Sequence, residues 1–261
     1  MFSRRSPPPP RVPDDQIIYA VGDIHGRLDL LERLIDAMKA DLAATDKPGV
    51  FIPLGDYVDR GPNSAGVLRT LIDLKRETWI RAFPLRGNHE QMALDFLNDP
   101  ERNKGWITLG GAATLASYGV PRDRAQRDDW AATRDAMARA IPQEHLEFLN
   151  ALPYCAVVGD YFFVHAGVRP GRGLDEQTPD DMLWIREKFL REKRLGLDKV
   201  IVHGHSTSMK PFVSESRIGV DTGAYATGVL TCLRLTGAQR SLIRVSLNSA
   251  EIQDIASLRA S

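Results

Sequence analysis

Apolar and polar positions fall into blocks along this chain, and the period of the blocks changes in a regular order. Gln16–Val21 is a short apolar run that stops at Gly22-Asp23. Leu28, Leu31, Leu34, Ile35 and Met38 then recur at three- and four-residue spacing, which predicts a helix to about Leu42. Gly49–Leu54 is a second run, ending at Gly55-Asp56. Asn63 and Ser64 are N-cap candidates for a helix carrying Val67, Leu68, Leu71, Ile72 and Leu74. Trp79–Leu85 is a third run, ending at Arg86-Gly87-Asn88. Three strand–helix units in succession predict an α/β fold with a mostly parallel sheet covered by helices.

Residues 90–150 read differently. Helical patterns over Gln91–Asn98, Ile107–Tyr118, Trp130–Ala140 and Gln143–Leu149 are broken by Asp99-Pro100 and Pro121, as in a helical insertion over the sheet edge. Strands resume at Tyr154–Val158 and Tyr161–Val164, a helix is expected at about Asp180–Arg194, and a strand at Lys199–Val202 stops at His203. Strands near Ile218–Val220, Gly228–Leu235 and Ser241–Val245 complete the core. Residues 1–14, with four consecutive prolines, read as a flexible tail, and residues 251–261 as a second one. A single domain is expected over 15–250.

Five times an apolar strand ends and a polar cluster follows at once: Gly22–Gly26, Gly55–Gly61, Gly87–Glu90, His165–Gly167 and His203–His205. Five of the six histidines lie in these clusters; His145 alone is elsewhere, on a helix, and is expected to be exposed. In open α/β sheets, ligands bind at the carboxyl ends of strands. Imidazole, carboxylate and amide oxygen together suit divalent first-row ions, and more ligand candidates are present than one ion needs, which favours a two-metal site. No cysteine joins the clusters, so a thiolate zinc site is not expected.

Composition narrows the partners. Lys plus Arg and Asp plus Glu number 34 each, so the chain lacks the field of a general nucleic-acid binder. No stretch approaches the roughly 18 apolar residues of a membrane span, and prolines stand where a signal peptide needs an apolar segment. Cys155 and Cys232 sit in apolar segments and read as buried free thiols. A cytoplasmic protein without nucleic-acid or membrane partners is expected, its oligomeric state left open.

Gly-Asp-Ile-His-Gly, Gly-Asp-Tyr-Val-Asp-Arg-Gly, Leu-Arg-Gly-Asn-His-Glu, His-Ala-Gly and Gly-His, in that order, resemble the calcineurin-like metallophosphoesterase superfamily over about residues 16–235. The resemblance is nearest to its phosphoprotein phosphatase branch, which includes small bacterial and phage serine/threonine phosphatases. It implies a four-layer α/β-β-α sandwich and two divalent ions, manganese first, with iron, zinc, cobalt or nickel as alternatives. Asp23, His25 and Asp56 would hold one ion; Asp56, Asn88, His165 and His205 the other. A hydroxide between the ions would be the nucleophile. His89 would be the general acid, Asp59 its orienting partner, and Arg60 and Arg86 the phosphoryl clamp. Leu183–Arg186 resembles a segment that supplies a further phosphate-binding arginine, Arg186, the alternative being a solvated arginine on an amphipathic helix. Thr207 stands where many metallophosphoesterases carry another histidine, a departure that favours the phosphoprotein phosphatase branch. His203 is assigned to packing or support.

The reaction implied is hydrolysis of phosphomonoesters, on phosphoserine or phosphothreonine in a phosphorylated protein or on a small phosphoester. A symmetrical bis(5′-nucleosyl)-tetraphosphate hydrolase shares these motifs and is the alternative enzyme. A catalytically dead, metal-dependent binding protein is the alternative outside enzymes, disfavoured because it has no use for His89 and Asp59. Against the dinucleotide reading stands the scarcity of aromatic walls near the motifs, where only Tyr57, Trp106 and Tyr118 offer themselves.

Overall fold

A computed structural model of the chain describes residues 8–121 and 129–255. The first half alternates as its periodicity requires: β1 (Ile17–Val21), α1 (Leu28–Ala43), β2 (Gly49–Pro53), α2 (Ser64–Leu74) and β3 (Ile80–Ala82). The Asn63 side chain caps α2 by accepting from the Gly66 N–H. The inserted segment comprises α3 (Asn88–Asn98), α4 (Pro100–Asn103), a π-helical turn (Ile107–Gly111), α5 (Ala112–Ser117), α6 (Trp130–Ala140) and α7 (Gln143–Ala151). The second half contains β4 (Cys155–Val158), β5 (Tyr161–Val164), α8 (Pro179–Trp184), α9 (Glu187–Leu190), β6 (Val200–His203), β7 (Phe212–Val213) and β8 (Arg217–Gly219). It closes with α10 (Ala224–Thr227), β9 (Leu230–Thr236), β10 (Gln239–Val245) and β11 (Ala250–Asp254).

The strands form two sheets, ordered β11-β10-β9-β1-β2-β3 and β4-β5-β6-β8-β7. The β1–β2–β3 and β5–β6–β8 ladders are parallel. Strand period sets the layers. Ile18, Ala20, Val50 and Ile52 meet Tyr161, Phe163, Val200 and Val202 between the sheets. Ile17, Tyr19 and Val21 turn the other way, under Leu30, Leu34 and Met38 of α1 and Val67 and Leu71 of α2. Phe162, Val164 and Ile201 of the second sheet pack outward on Met182 and Phe189 of α8 and α9. Helices, sheet, sheet and helices therefore stack in four layers, as the resemblance implies. The inserted helices enclose their own cluster, with Phe96, Trp106, Leu115 and Met137 at its centre.

Several expectations are corrected. Residues 250–254 are strand β11, paired antiparallel with β10, and Ile255 is buried between the sheets. The C-terminal tail is thus an edge strand as far as the chain is described; residues 256–261 lie outside that range. At the other end, Val12 is buried and donates its N–H to the Gly237 carbonyl, while the Arg11 carbonyl accepts from Asp160. Residues 10–14 are therefore docked on the fold, and residues 1–7 of the expected tail lie outside the described range. The helix over 180–194 is two short helices, because Ile185 is extended (φ −61°, ψ 137°) and lets both Ile185 and Phe189 reach the sheet. Gly110, at φ 132°, breaks the helix expected over 107–118. His145 is buried, with Nδ1 2.7 Å from the Tyr118 hydroxyl, because α7 turns that face inward. Cys155 is half-buried and Cys232 buried, both free.

Deletion of residues 250–261 should lower the urea midpoint of unfolding, since it uncovers the β10 edge and removes Ile255 from the core. An unchanged midpoint would return this segment to the status of a tail.

Candidate metal centre

Backbone conformation marks the site before any side chain is considered. Among the described residues, five non-glycine residues have positive φ: His25 (44°), Asp56 (54°), Asp59 (74°), Arg60 (65°) and His205 (60°). Each costs of order 1–3 kcal/mol and persists only where its surroundings over-determine it. All five are predicted site residues.

The surroundings that hold them are identifiable. The buried Glu90 carboxylate accepts from the backbone N–H groups of Asp56 (2.8 Å), Tyr57 (2.7 Å), Val58 (3.2 Å) and Gly87 (2.9 Å). Gly87 cannot be replaced cheaply, because an added Cβ would stand 2.3 Å from the Asp56 backbone N. The Asp56 Oδ1 atom accepts from the His89 N–H (3.0 Å), and Asp23 Oδ1 from the His205 N–H (2.9 Å). Each carboxylate is thereby fixed by the backbone of a neighbouring cluster.

The side chains converge on Asp56. Its Oδ2 is 3.5 Å from His25 Nε2 and 3.9 Å from His89 Nε2, and its Oδ1 is 3.4 Å from His165 Nε2. Asp23 Oδ2 is 3.9 Å from His25 Nε2. Two buried groups result, His25/Asp56/His89 and Asp56/His165/His205, each able to hold an ion, with Asp56 common to both.

The donor chemistry fits divalent cations. His25 Nδ1 donates to the Val58 carbonyl (2.7 Å), which leaves Nε2 with a bare lone pair, buried and unpartnered. His165 Nδ1 donates to the Leu54 carbonyl (3.0 Å), so its Nε2 lone pair faces Asn88 Oδ1 at 2.8 Å and Asp56 Oδ1 at 3.4 Å. Neither oxygen donates, and a cation between such acceptors removes their repulsion. Burial, reinforced by neighbouring positive groups, lowers His25 well below its ordinary pKa, lowers His165 to about 3 and lowers His205 further. Burial also raises Asp23, with help from Asp221, and Asp56, with help from Asp23 and Glu90. The site holds neutral imidazoles, which ligands need to be, and carboxylates whose charge lacks compensation from the protein.

His89 Nδ1 lies 2.6 Å from Asp59 Oδ2, and Arg60 Nη2 lies 3.1 Å from His89 Nε2. Asp59 is fully buried and accepts also from Trp106 Nε1 (2.7 Å) and the Thr114 hydroxyl (2.6 Å). Trp106 and Thr114 belong to the inserted segment, in which the motifs gave no functional residue. Glu90 was visible inside Asn-His-Glu but carried no assignment. Asp221, beside Asp23, and the exposed Tyr225, beside His25, had no sequence signal, while the exposed Trp184, beside His205, lies within Leu183–Arg186, where only Arg186 carried an assignment.

Other predicted residues fall as follows. Arg60 and Arg186 are exposed, and the charge of Arg186 acts on His165 and His205. Arg86 is corrected: Nη1 donates to Gln91, Nη2 to the carbonyls of Leu149 and Asn150, and its guanidinium lies over Tyr154. The carbonyls at the end of α7 attract this cation and take the donors of Nη2, Nη1 is held by Gln91, and Nε is buried without a partner. His203 alternates with Val202 and packs outward on Phe189, away from the ligands, consistent with a packing role. Tyr57 and Trp106 are buried and Tyr118 half-buried, so none of them walls the site; Trp184 and Tyr225 do.

A two-sheet sandwich carrying a His/Asp centre at its strand ends is the arrangement of the metallophosphoesterases. Residues 17–227 match the calcineurin-like phosphoesterase family, and the chain belongs to it. It is 30% identical over 228 residues to serine/threonine-protein phosphatase 1 of Salmonella typhimurium, covering 84% of this chain and 91% of that one. It is 34% identical over 157 residues to a symmetrical bis(5′-nucleosyl)-tetraphosphatase of Acidovorax ebreus, covering 59% of this chain and 44% of that one. Its fold resembles a solved cold-active protein-tyrosine phosphatase of a Shewanella species, with TM-score 0.62 and 18% identity, covering 94% of this chain and 82% of that one.

Trp106→Phe keeps the packing but removes one donor to Asp59. It should reduce kcat by about 10–150-fold while leaving metal content unchanged, since hydrogen bonds to charged groups contribute about 1.5–3 kcal/mol. Unaltered kcat in steady-state assays would separate the inserted segment from the chemistry.

Proposed function

We propose that this chain is a two-metal phosphomonoesterase that removes phosphate from phosphoserine and phosphothreonine in proteins. The observation that carries the reading is the His89–Asp59 pair, buried against the centre with His89 Nε2 3.9 Å from Asp56. A protein that only bound metal or a phosphorylated partner would have no use for an oriented acid.

Asp23, His25 and Asp56 would hold one divalent ion, and Asp56, Asn88, His165 and His205 the other, with manganese the first choice for this hard and borderline donor set. Bound ions supply the positive charge that polarises a phosphoryl oxygen and activates water. Arg60 and Arg186 hold phosphoryl oxygens, for which a planar guanidinium is suited. Asp59 keeps the proton of His89 on Nδ1 oriented, and His89 delivers a second proton from Nε2 to the leaving oxygen. Nε2 can carry that proton only when Arg60 points elsewhere. A substrate that draws Arg60 to its phosphoryl oxygens therefore also frees the acid.

The phosphoprotein reading is supported by the 30% identity to a serine/threonine phosphatase over 91% of that protein, against 27% identity to an asymmetrical tetraphosphatase over 88% of its length and a match to 44% of a symmetrical one. Within the site itself, the dinucleotide reading is favoured by two aromatic side chains. Trp184 and Tyr225, 40% and 41% exposed, stand beside ligand candidates and could stack a base. Among the described residues no helix is long and apolar enough to cross a membrane.

Chelation should abolish activity and manganese restore it. The restored enzyme should cleave phosphoserine and phosphothreonine peptides with higher kcat/KM than dinucleotide tetraphosphates; the reverse ratio would install the dinucleotide reading instead.

His89→Asn should cost about 10²–10⁴-fold in turnover on a phosphoserine peptide with metal content retained. The loss should shrink on p-nitrophenyl phosphate, whose leaving group needs no proton. Equal losses on both substrates would count against the acid role.

A further inference from the structure

The segment Asp221-Thr222-Gly223-Ala224-Tyr225 lies outside the motifs, yet it reaches the centre. Asp221 Oδ1 accepts from the Gly223 N–H (2.8 Å) and Oδ2 from the Thr207 hydroxyl (2.7 Å). Gly223 adopts φ +66°, which a side chain would resist, and starts α10 there. The Ala224 carbonyl accepts from Arg27 (2.8 Å), whose guanidinium is paired with Asp29. The short turn is thus pinned from both sides, and it presents the Tyr225 ring, 41% exposed, over the site.

That ring has two neighbours of consequence. Its centroid is 5.4 Å from that of His25, edge-on at 88°, and 4.8 Å from the guanidinium carbon of Arg60. The guanidinium of Arg60 otherwise touches His89 Nε2, and among the described residues no carboxylate forms an ion pair with it. The backbone of Arg60 is fixed at φ +65° by a bond to the Gly110 carbonyl, so the side chain, not the main chain, has freedom to lose.

From this placement we infer that Tyr225 is a positioning residue for Arg60, holding its guanidinium over the centre through an aromatic face. The inference rests on Arg60 binding the phosphoryl group, as proposed above. An aromatic face suits the task better than an acid. A carboxylate would occupy the N–H edge of the guanidinium and cancel the charge that attracts phosphate. A ring attracts the cation through its quadrupole and leaves the edge donors for phosphoryl oxygens. The contact also survives when Arg60 leaves His89, because it does not use the same atoms.

The test uses manganese-loaded enzyme, p-nitrophenyl phosphate as substrate and inorganic phosphate as competitive inhibitor. Tyr225→Leu should raise both KM and the inhibition constant for phosphate by about 3–30-fold, the range of a partly desolvated cation–π contact, with kcat changing less. Tyr225→Phe should restore both values, and metal content should be equal in all three proteins. In an Arg60→Ala background, Tyr225→Leu should add nothing. Unchanged phosphate inhibition in Tyr225→Leu, a Phe variant as damaged as Leu, or a full effect without Arg60 would each overturn the inference. So would metal loss in Tyr225→Leu, which would show the ring acting through His25. If Arg60→Ala alone left phosphate inhibition unaltered, the clamp role and this inference would fall together. The choice between phosphoprotein and dinucleotide would still be decided by their own kcat/KM comparison.

Discussion

The arrangement depends first on one buried carboxylate. Glu90 gathers four backbone N–H groups from two separate clusters, the turn after β2 and the turn before α3. Asp56, Asp59 and Arg60 sit in the left-handed region within that first turn, at a combined cost of several kcal/mol. Hydrogen bonds to an ionised acceptor contribute about 1.5–3 kcal/mol each, so four of them are of the size needed to hold the strain. Because the same acid also anchors Gly87, the spacing between Asp56 and the Asn88–His89 pair is fixed by one side chain.

The electrostatics follow from burying that turn. Asp23, Asp56 and Glu90 are all withdrawn from water, and desolvation raises each above the usual carboxylate range. The imidazoles are pushed toward neutrality by the same burial. A protein gains nothing in stability from such a collection, since uncompensated buried charge is costly. It is intelligible as a receptor for cations, whose charge offsets the carboxylates while the bare imidazole lone pairs serve as ligands. The strain and the electrostatic cost fall at the same residues, which is where function is expected to be placed.

The inserted helices contribute more than cover. Trp106 and Thr114 close the hydrogen bonds of Asp59, so the acid pair is shared between the sheet scaffold and the insertion. Gly110 at φ 132° gives the chain the close approach to Arg60 and Asp59 that this sharing needs, since an added Cβ would stand 2.9 Å from Arg60. The π-helical turn there is a local irregularity at a working position, as such turns often are.

Much of this was legible in the residue pattern. Continuous apolar runs and period-3.6 blocks located β1, α1, β2 and α2 to within a residue or two, because both faces of each of these strands and one face of each helix are buried. Glycine beside Asp or His at successive strand ends pointed to one crevice, since a parallel sheet brings its carboxyl ends together. What the pattern could not decide was where long polar side chains spend their donors. Arg86 reads as a clamp until the end of α7 is seen beside it, and His145 reads as exposed until α7 is seen to turn it toward Tyr118. Trp106, Thr114 and Tyr225 reach the centre from segments 47, 55 and 200 residues away from the groups they touch (Trp106 and Thr114 from Asp59, Tyr225 from His25). Contacts of that separation exist only after the layers have packed, so no local signal encodes them, and the tertiary structure alone determines which residues surround the metal ligands.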